Sequence, residues 1–170
     1  MARLPDVDPA GEVAERVRAR RGGSLTPLDR MLLHSEPLAD GWNTLLGAVR
    51  SRFELAADLR ELAICRIAAL NDADYEWRAH APLLVRAGFP EERLELLRAD
   101  RDVAGLRAEH ATVVAYTDAV TQDVRVPAEL FADVRELLGE RGTVELTATI
   151  AAYNMVSRFL VALEIGENEP

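Results

Sequence analysis

The sequence predicts an all-α protein, a bundle of about eight helices joined by short turns. Two observations carry this. Apolar residues recur at helical spacing in one segment after another. Glycine, proline and capping residues break these segments at short intervals, and no run shows the strict alternation of a half-buried strand.

The first element spans residues 10–21, with Val13 and Val17 among charged neighbours, and stops at Gly22-Gly23. "SLTPLDRMLLHS" then offers Thr26 as N-cap, Pro27 at the first helical position and Asp29 in the first turn. Its helix is short and is expected to stop before Pro37. Asp40 is placed to cap a helix from Gly41 to about Phe53, with Trp42, Leu45, Leu46 and Val49 on one side. "AADLRELAICRIAAL", residues 56–70, is the most buried-looking helix. Leu59, Leu62, Ala63, Ile67 and Leu70 form one stripe, and Ile64, Cys65 and Ala68 widen it.

"NDAD" breaks that helix and opens the next, over 73–87, which ends at Gly88. "FPEERLELL" predicts a further helix beginning at Pro90, with two glutamates where the helix dipole favours them. Residues 107–121 repeat apolar positions at Val113, Val114, Tyr116 and Val120. "QDVRV" is a short loop. A helix follows from Pro127 to Gly139, and a long one over 142–165. Phe131, Tyr153, Met155 and Phe159 are expected in the core. The expected organisation is an N-terminal helical extension, 1–24, followed by one helical domain, 25–170.

Composition narrows the function classes. The formal net charge of −9 argues against nucleic acid, whose phosphates want Lys and Arg. The local cluster "RVRARR" reads as a solvated helix end. No apolar run approaches the roughly 18–20 residues that span a bilayer. The N-terminal residues show no apolar signal-peptide region. Cys65 is the single cysteine, so no intrachain disulfide and no CxxC motif is possible. These observations predict a cytoplasmic protein without membrane or nucleic-acid partners.

The chemistry-bearing residues gather in "DADYEWRAHAPLL", residues 72–84. Glu76 and His80 are four apart and share a helix face, with Trp77 beside them and Tyr75 off to one side. Glu61 stands one helix earlier among Leu59, Leu62, Ile64 and Cys65. Desolvation there would raise its pKa and make it an acid or base near neutral pH. The competing arrangement is a structural ion pair of Glu61 with Arg60, Arg66 or Arg158. Asp72, Glu76 and His80 form an i, i+4, i+8 ladder, but a di-iron bundle needs Glu-x-x-His, which does not occur here. No metal and no cofactor are expected. His34, before Pro37, is a cap or buried group, or else a second pocket histidine; His110 is expected to be exposed.

The stretch "LRELAICRIAALNDADYEWRAHAPLLVRAGFPEERL" resembles the carboxymuconolactone decarboxylase family, which includes the AhpD-type alkylhydroperoxidases. The likeness lies in a Glu within an apolar helix, a His eighteen intervening residues later, an "AG" helix stop and an acidic restart. The flanks "LLHSEPLADGW" and "ELTATIAAYNMVSRFLVAL" resemble longer members with a "YEWxxH" pattern. The resemblance implies an AhpD-like helical fold and a homo-oligomer: a dimer, trimer or hexamer. It also implies that Glu61 and His80 handle protons. In the redox branch of the family, cysteines stand four and seven residues before the histidine. Here those positions hold Glu76 and Ala73, and Tyr75 stands where that branch commonly has another histidine. Disulfide exchange needs two thiols, so the thiol-dependent peroxidase mechanism is not expected.

The expected function is therefore a cofactor-independent lyase acting on a small carboxylated lactone or β-keto acid. His80, Glu61, Tyr75 and Glu76 are the candidate catalytic residues. Trp77, Trp42, His34 and Cys65 are candidates for binding the small-molecule substrate. Two alternatives stand beside it: another proton-transfer enzyme (hydrolase, isomerase or cyclase), or an oligomeric binding protein in which Glu61 and His80 form only a buried pair.

Overall fold

A computed structural model describes residues 2–98 and 103–166. Its helices are α1 (Glu12–Arg21), α2 (Pro27–Leu32), α3 (Glu36–Ser51), α4 (Ala57–Leu70), α5 (Asp74–Arg86), α6 (Ala108–Asp118) and α7 (Ala128–Ala162). Two 3₁₀ segments, Glu91–Leu97 and Val103–Gly105, lie between α5 and α6, and a π turn, Ala119–Asp123, extends α6. There is no strand among the described residues, as the periodicity predicts. None of the described helices is long and apolar enough to cross a membrane.

The chain divides into two compact units, residues 1–52 with 162–170, and residues 53–161. In the first unit α1 and α2 pack on α3. The predicted start of α2 is present in full. Thr26 Oγ1 accepts the Asp29 N–H at 3.2 Å, and Asp29 Oδ2 accepts the Thr26 N–H at 3.1 Å. Asp29 is buried and also takes the Arg21 guanidinium, Nε at 2.8 Å and Nη2 at 3.2 Å. Thr26→Ala is expected to cost about 1 kcal/mol, the usual scale of a lost N-cap. Urea denaturation would check this, and an unchanged midpoint would contradict it.

α3 corrects the predicted boundary. It starts at Glu36, with Pro37 in its first turn. Pro37 therefore opens this helix instead of only stopping the previous one, because the first turn needs no N–H from that residue. Asp40 is inside the helix and is not its cap.

In the second unit α4 packs on both α5 and α6. This explains its near-complete burial: Leu62, Ala63, Ile64, Cys65 and Ile67 are all fully inaccessible. Its entry is held by Glu145 of α7, whose Oε2 accepts the backbone N–H groups of Glu54 at 2.8 Å and Leu55 at 2.9 Å. The "FPEERLELL" segment forms a 3₁₀ turn, not the predicted α-helix. Its closing carbonyls are taken by a side chain instead of by a following helical turn. Arg66 Nη1 binds the Leu97 carbonyl at 3.1 Å and the Arg98 carbonyl at 2.7 Å. The two predicted C-terminal helices are both present as the two arms of α7, and they meet where predicted, at Gly139, whose φ of 68° and ψ of 178° are non-helical, a φ that favours glycine.

Two expectations about burial fail. Phe131 is 44% and Met155 38% exposed, so neither is core. Periodicity marks an apolar face but not what covers it. His110, expected at the surface, is buried between Phe89, at a ring distance of 5.5 Å, and Asp58, at 3.2 Å from Nε2.

Candidate active site

α4 and α5 form an antiparallel hairpin, and each presents one face to the other. On α4, Glu61 and Cys65 are one turn apart; on α5, so are Glu76 and His80. The turn between the helices is tight. Asp72 takes a positive φ of 53°, and the Ala73 N–H returns to the Ala68 carbonyl at 2.8 Å. This turn sets the register that brings His80 opposite Glu61.

The pair is closed by a hydrogen bond of 2.7 Å between His80 Nδ1 and Glu61 Oε2. Glu61 is 4% and His80 8% exposed. The other carboxylate oxygen, Oε1, accepts Arg60 Nε at 3.2 Å. Burial pushes the Glu61 carboxyl up. The hydrogen bond from His80, the charges of His80 and Arg60, and the Arg60 hydrogen bond outweigh that burial, so the group sits below the ordinary glutamate range. This corrects the expectation that desolvation would make Glu61 a neutral-range acid. It is a carboxylate at neutral pH.

Glu76 is 2% exposed. Cys65 is fully buried. Burial first, and then the charges of Glu61 and Glu76, push its thiol far above its ordinary range. It is a neutral thiol, which is neither a nucleophile nor an attacking group in exchange. Tyr75 and Trp77 are half-buried at the start of α5. The Arg98 guanidinium lies 4.2 Å over the Trp77 ring, a cation–π stack.

The structure thus brings Glu61, Cys65, Glu76 and His80 together on one hairpin, with Tyr75 and Trp77 on the same helix as His80. Trp42 and His34 belong to the other unit. Trp42 is buried on α3, and exposed His34 donates from Nε2 to the Pro5 carbonyl at 2.8 Å. Of the three arginines that could pair with Glu61, only Arg60 does so. Arg66 goes to Asp118, and Arg158 to Asn154. Among the described residues, no three His, Cys, Asp or Glu side chains converge as metal ligands.

Sequence reasoning missed Tyr153, which it assigned to the core. Its ring meets the His80 imidazole edge to face, with centroids 5.1 Å apart and planes at 87°. No local pattern announces a contact between residues so distant in the chain.

Comparison with known proteins agrees with this architecture. The fold superposes on a protein of unknown function from Agrobacterium tumefaciens, suggested to be the antioxidant defence protein AhpD. The TM-score is 0.71 and the identity 20%, over 79% of this chain and 92% of that one. It also superposes on an uncharacterized peroxidase-related protein from Silicibacter sp. TM1040, with a TM-score of 0.79 and 14% identity, over 96% of this chain and 88% of that one. At these identities the likeness establishes the fold. Comparison with curated proteins finds no match. Residues 36–119, which contain both partners of the Glu61–His80 pair, match the model of the carboxymuconolactone decarboxylase family, and the chain belongs to that family.

Proposed function

We propose that the protein is a cofactor-independent lyase that decarboxylates a small carboxylated lactone, β-keto acid or related enolisable compound. The observation that carries this is the buried Glu61–His80 hydrogen bond. Glu61, as a carboxylate, holds His80 by Nδ1 and balances the charge that the ring takes up. Nε2 is left as the nitrogen that exchanges a proton with the substrate. Breaking the C–C bond to the carboxyl group releases CO₂ and leaves the electron pair on an enolate. His80 first takes the carboxylic acid proton of the substrate on Nε2, then stabilises the enolate charge as imidazolium and delivers that Nε2 proton to carbon. Tyr75 donates a hydrogen bond to the substrate, and Glu76 acts on the substrate carboxylate by repulsion or as an acid. Trp77 excludes water, and Cys65 packs beside the pair as a small apolar group. The scheme draws only on these side chains, and a cytoplasmic setting suits it.

The names of the structural relatives raise hydroperoxide reduction as a comparison. With Ala73 and Glu76 in the two thiol positions, and Cys65 buried and neutral, the protein is expected not to consume hydroperoxides with a dithiol donor. Robust dithiol-dependent peroxide loss in a coupled assay would contradict the proposal.

One observation favours a second reading. The side chains of the pair are only 10% and 6% exposed, which suits an ion pair that merely fastens α4 to α5 in a binding protein. The two readings separate on Glu61→Gln. A fastening role predicts lost stability and no substrate turned over by the parent protein, and a catalytic role predicts turnover by the parent protein that the substitution removes from a still folded chain.

The proposed assembly is a homo-oligomer of this chain with no other macromolecule. The two arms of α7 enclose an apolar groove of about 560 Å³, lined by Phe131, Val144, Ala148 and Ala151, with Arg135 and Glu140 also lining it. Exposed apolar surface of this kind is what a subunit contact covers. Light scattering at low micromolar concentration should give a multiple of 18.7 kDa, and a monomer would contradict the assembly.

A further inference from the structure

We infer that Tyr153, on the second arm of α7, is a positioning residue for the His80 imidazole, held by a polar lock centred on Asn154. The inference rests on the reading of His80 as the proton-carrying group. A single hydrogen bond at Nδ1 leaves an imidazole free to tilt about that bond. A ring set at 87° to it, with centroids 5.1 Å apart, closes that freedom. Tyr153 is fully buried, so it has nowhere to swing.

The lock explains why this ring stays in place. Asn154 is buried, and its side chain works in both directions. Nδ2 donates to Thr121 Oγ1 at 2.9 Å and to the Ile150 carbonyl at 3.0 Å. Oδ1 accepts Asn71 Nδ2 at 3.1 Å and also Arg158 Nη1. Asn71 Nδ2 reaches Ser157 Oγ as well, at 3.0 Å, and Ser157 Oγ donates to the Tyr153 carbonyl at 2.7 Å. Asn71 closes α4 and immediately precedes Asp72, whose positive φ starts the turn into α5. The point from which the His80 helix departs is thus bonded to the helix turn that carries Tyr153. Polar side chains buried among apolar neighbours cost free energy unless satisfied. A network that satisfies them this fully admits one register of α7 against the hairpin.

The test uses the full ¹⁵N-labelled chain and needs no substrate. Long-range ¹H–¹⁵N correlation reports which ring nitrogen of His80 carries the proton. In the parent protein His80 should show a single tautomer with its proton on Nδ1, facing Glu61. Tyr153→Phe should keep it. Tyr153→Met, close in volume, and Asn154→Ala should each give averaged ring signals while the far-ultraviolet spectrum stays helical. If Tyr153→Met does not fold, Asn154→Ala decides. Where turnover is measurable, both averaging variants should lose about ten-fold in kcat, with KM within about three-fold, since they misplace the acid without touching the substrate. A single tautomer kept in the folded variants would overturn the inference, as would averaging in Tyr153→Phe. If the tautomer responds as expected but no proton-transfer activity exists, the positioning role stands and the lyase proposal falls.

Discussion

Glu61→Gln and His80→Ala should each lower turnover by about 10²–10⁴-fold, the usual scale for a lost general acid or its partner. Glu61→Gln is the cleaner of the two. It keeps the size of the side chain and an oxygen for the 2.7 Å bond to His80 Nδ1, and removes the charge together with the oxygen that accepts Arg60 Nε. Both proteins should remain helical and assembled. If the residues act as one relay, the double variant should be little worse than the worse single one, because members of a catalytic unit are not additive. Steady-state kinetics on the three variants gives the answer. Multiplicative losses would mean two independent contributions, and retained turnover in both single variants would remove the pair from the mechanism.

The largest expected effect on stability lies elsewhere in the same unit. Arg66 is buried on α4 and reaches Asp118 of α6 through two bonds, Nε at 2.7 Å and Nη2 at 2.8 Å. A buried guanidinium that loses its carboxylate is left charged in a poor solvent, at a cost of about 3–5 kcal/mol. Asp118→Ala should fall at the lower end of that range, since Arg66 keeps the carbonyls of Leu97 and Arg98. Urea denaturation measures the loss. Arg66→Met combined with Asp118→Leu should recover only part of it, because an apolar pair removes the unpaired charge but takes the donor from the Leu97 and Arg98 carbonyls. A loss below about 1 kcal/mol in Asp118→Ala would show that water reaches the guanidinium and that the pair does not fasten α4 to α6.

What the sequence revealed follows from how local each feature is. The Thr26–Asp29 box and the burial of α4 come from residues within a few positions of one another, so spacing alone exposes them. The Glu61–His80 pairing was legible only through the family resemblance, because a hairpin register joins residues on two helices. The ionisation of Glu61 was not legible at all. Burial and the hydrogen bonds from His80 and Arg60 act in opposite directions, and their balance depends on the two side chains sharing the two oxygens of one carboxylate. Pro37 misled because proline both ends helices and begins them. Phe131 and Met155 misled because an apolar helix face reads the same whether it is covered by its own chain or left open. Tyr153 and Asn154 depend on contacts between α7 and the hairpin, which no periodicity encodes.

Proton transfer by Glu61 and His80 during the proposed decarboxylation is open to direct test. Its most direct measurement is CO₂ release from a panel of small carboxylated lactones and β-keto acids, run in parallel with parent protein and with His80→Ala. Release from at least one compound by the parent protein is expected, with a loss of about 10²-fold or more in the variant. Equal release by both proteins, or none from any compound by the parent, would contradict it.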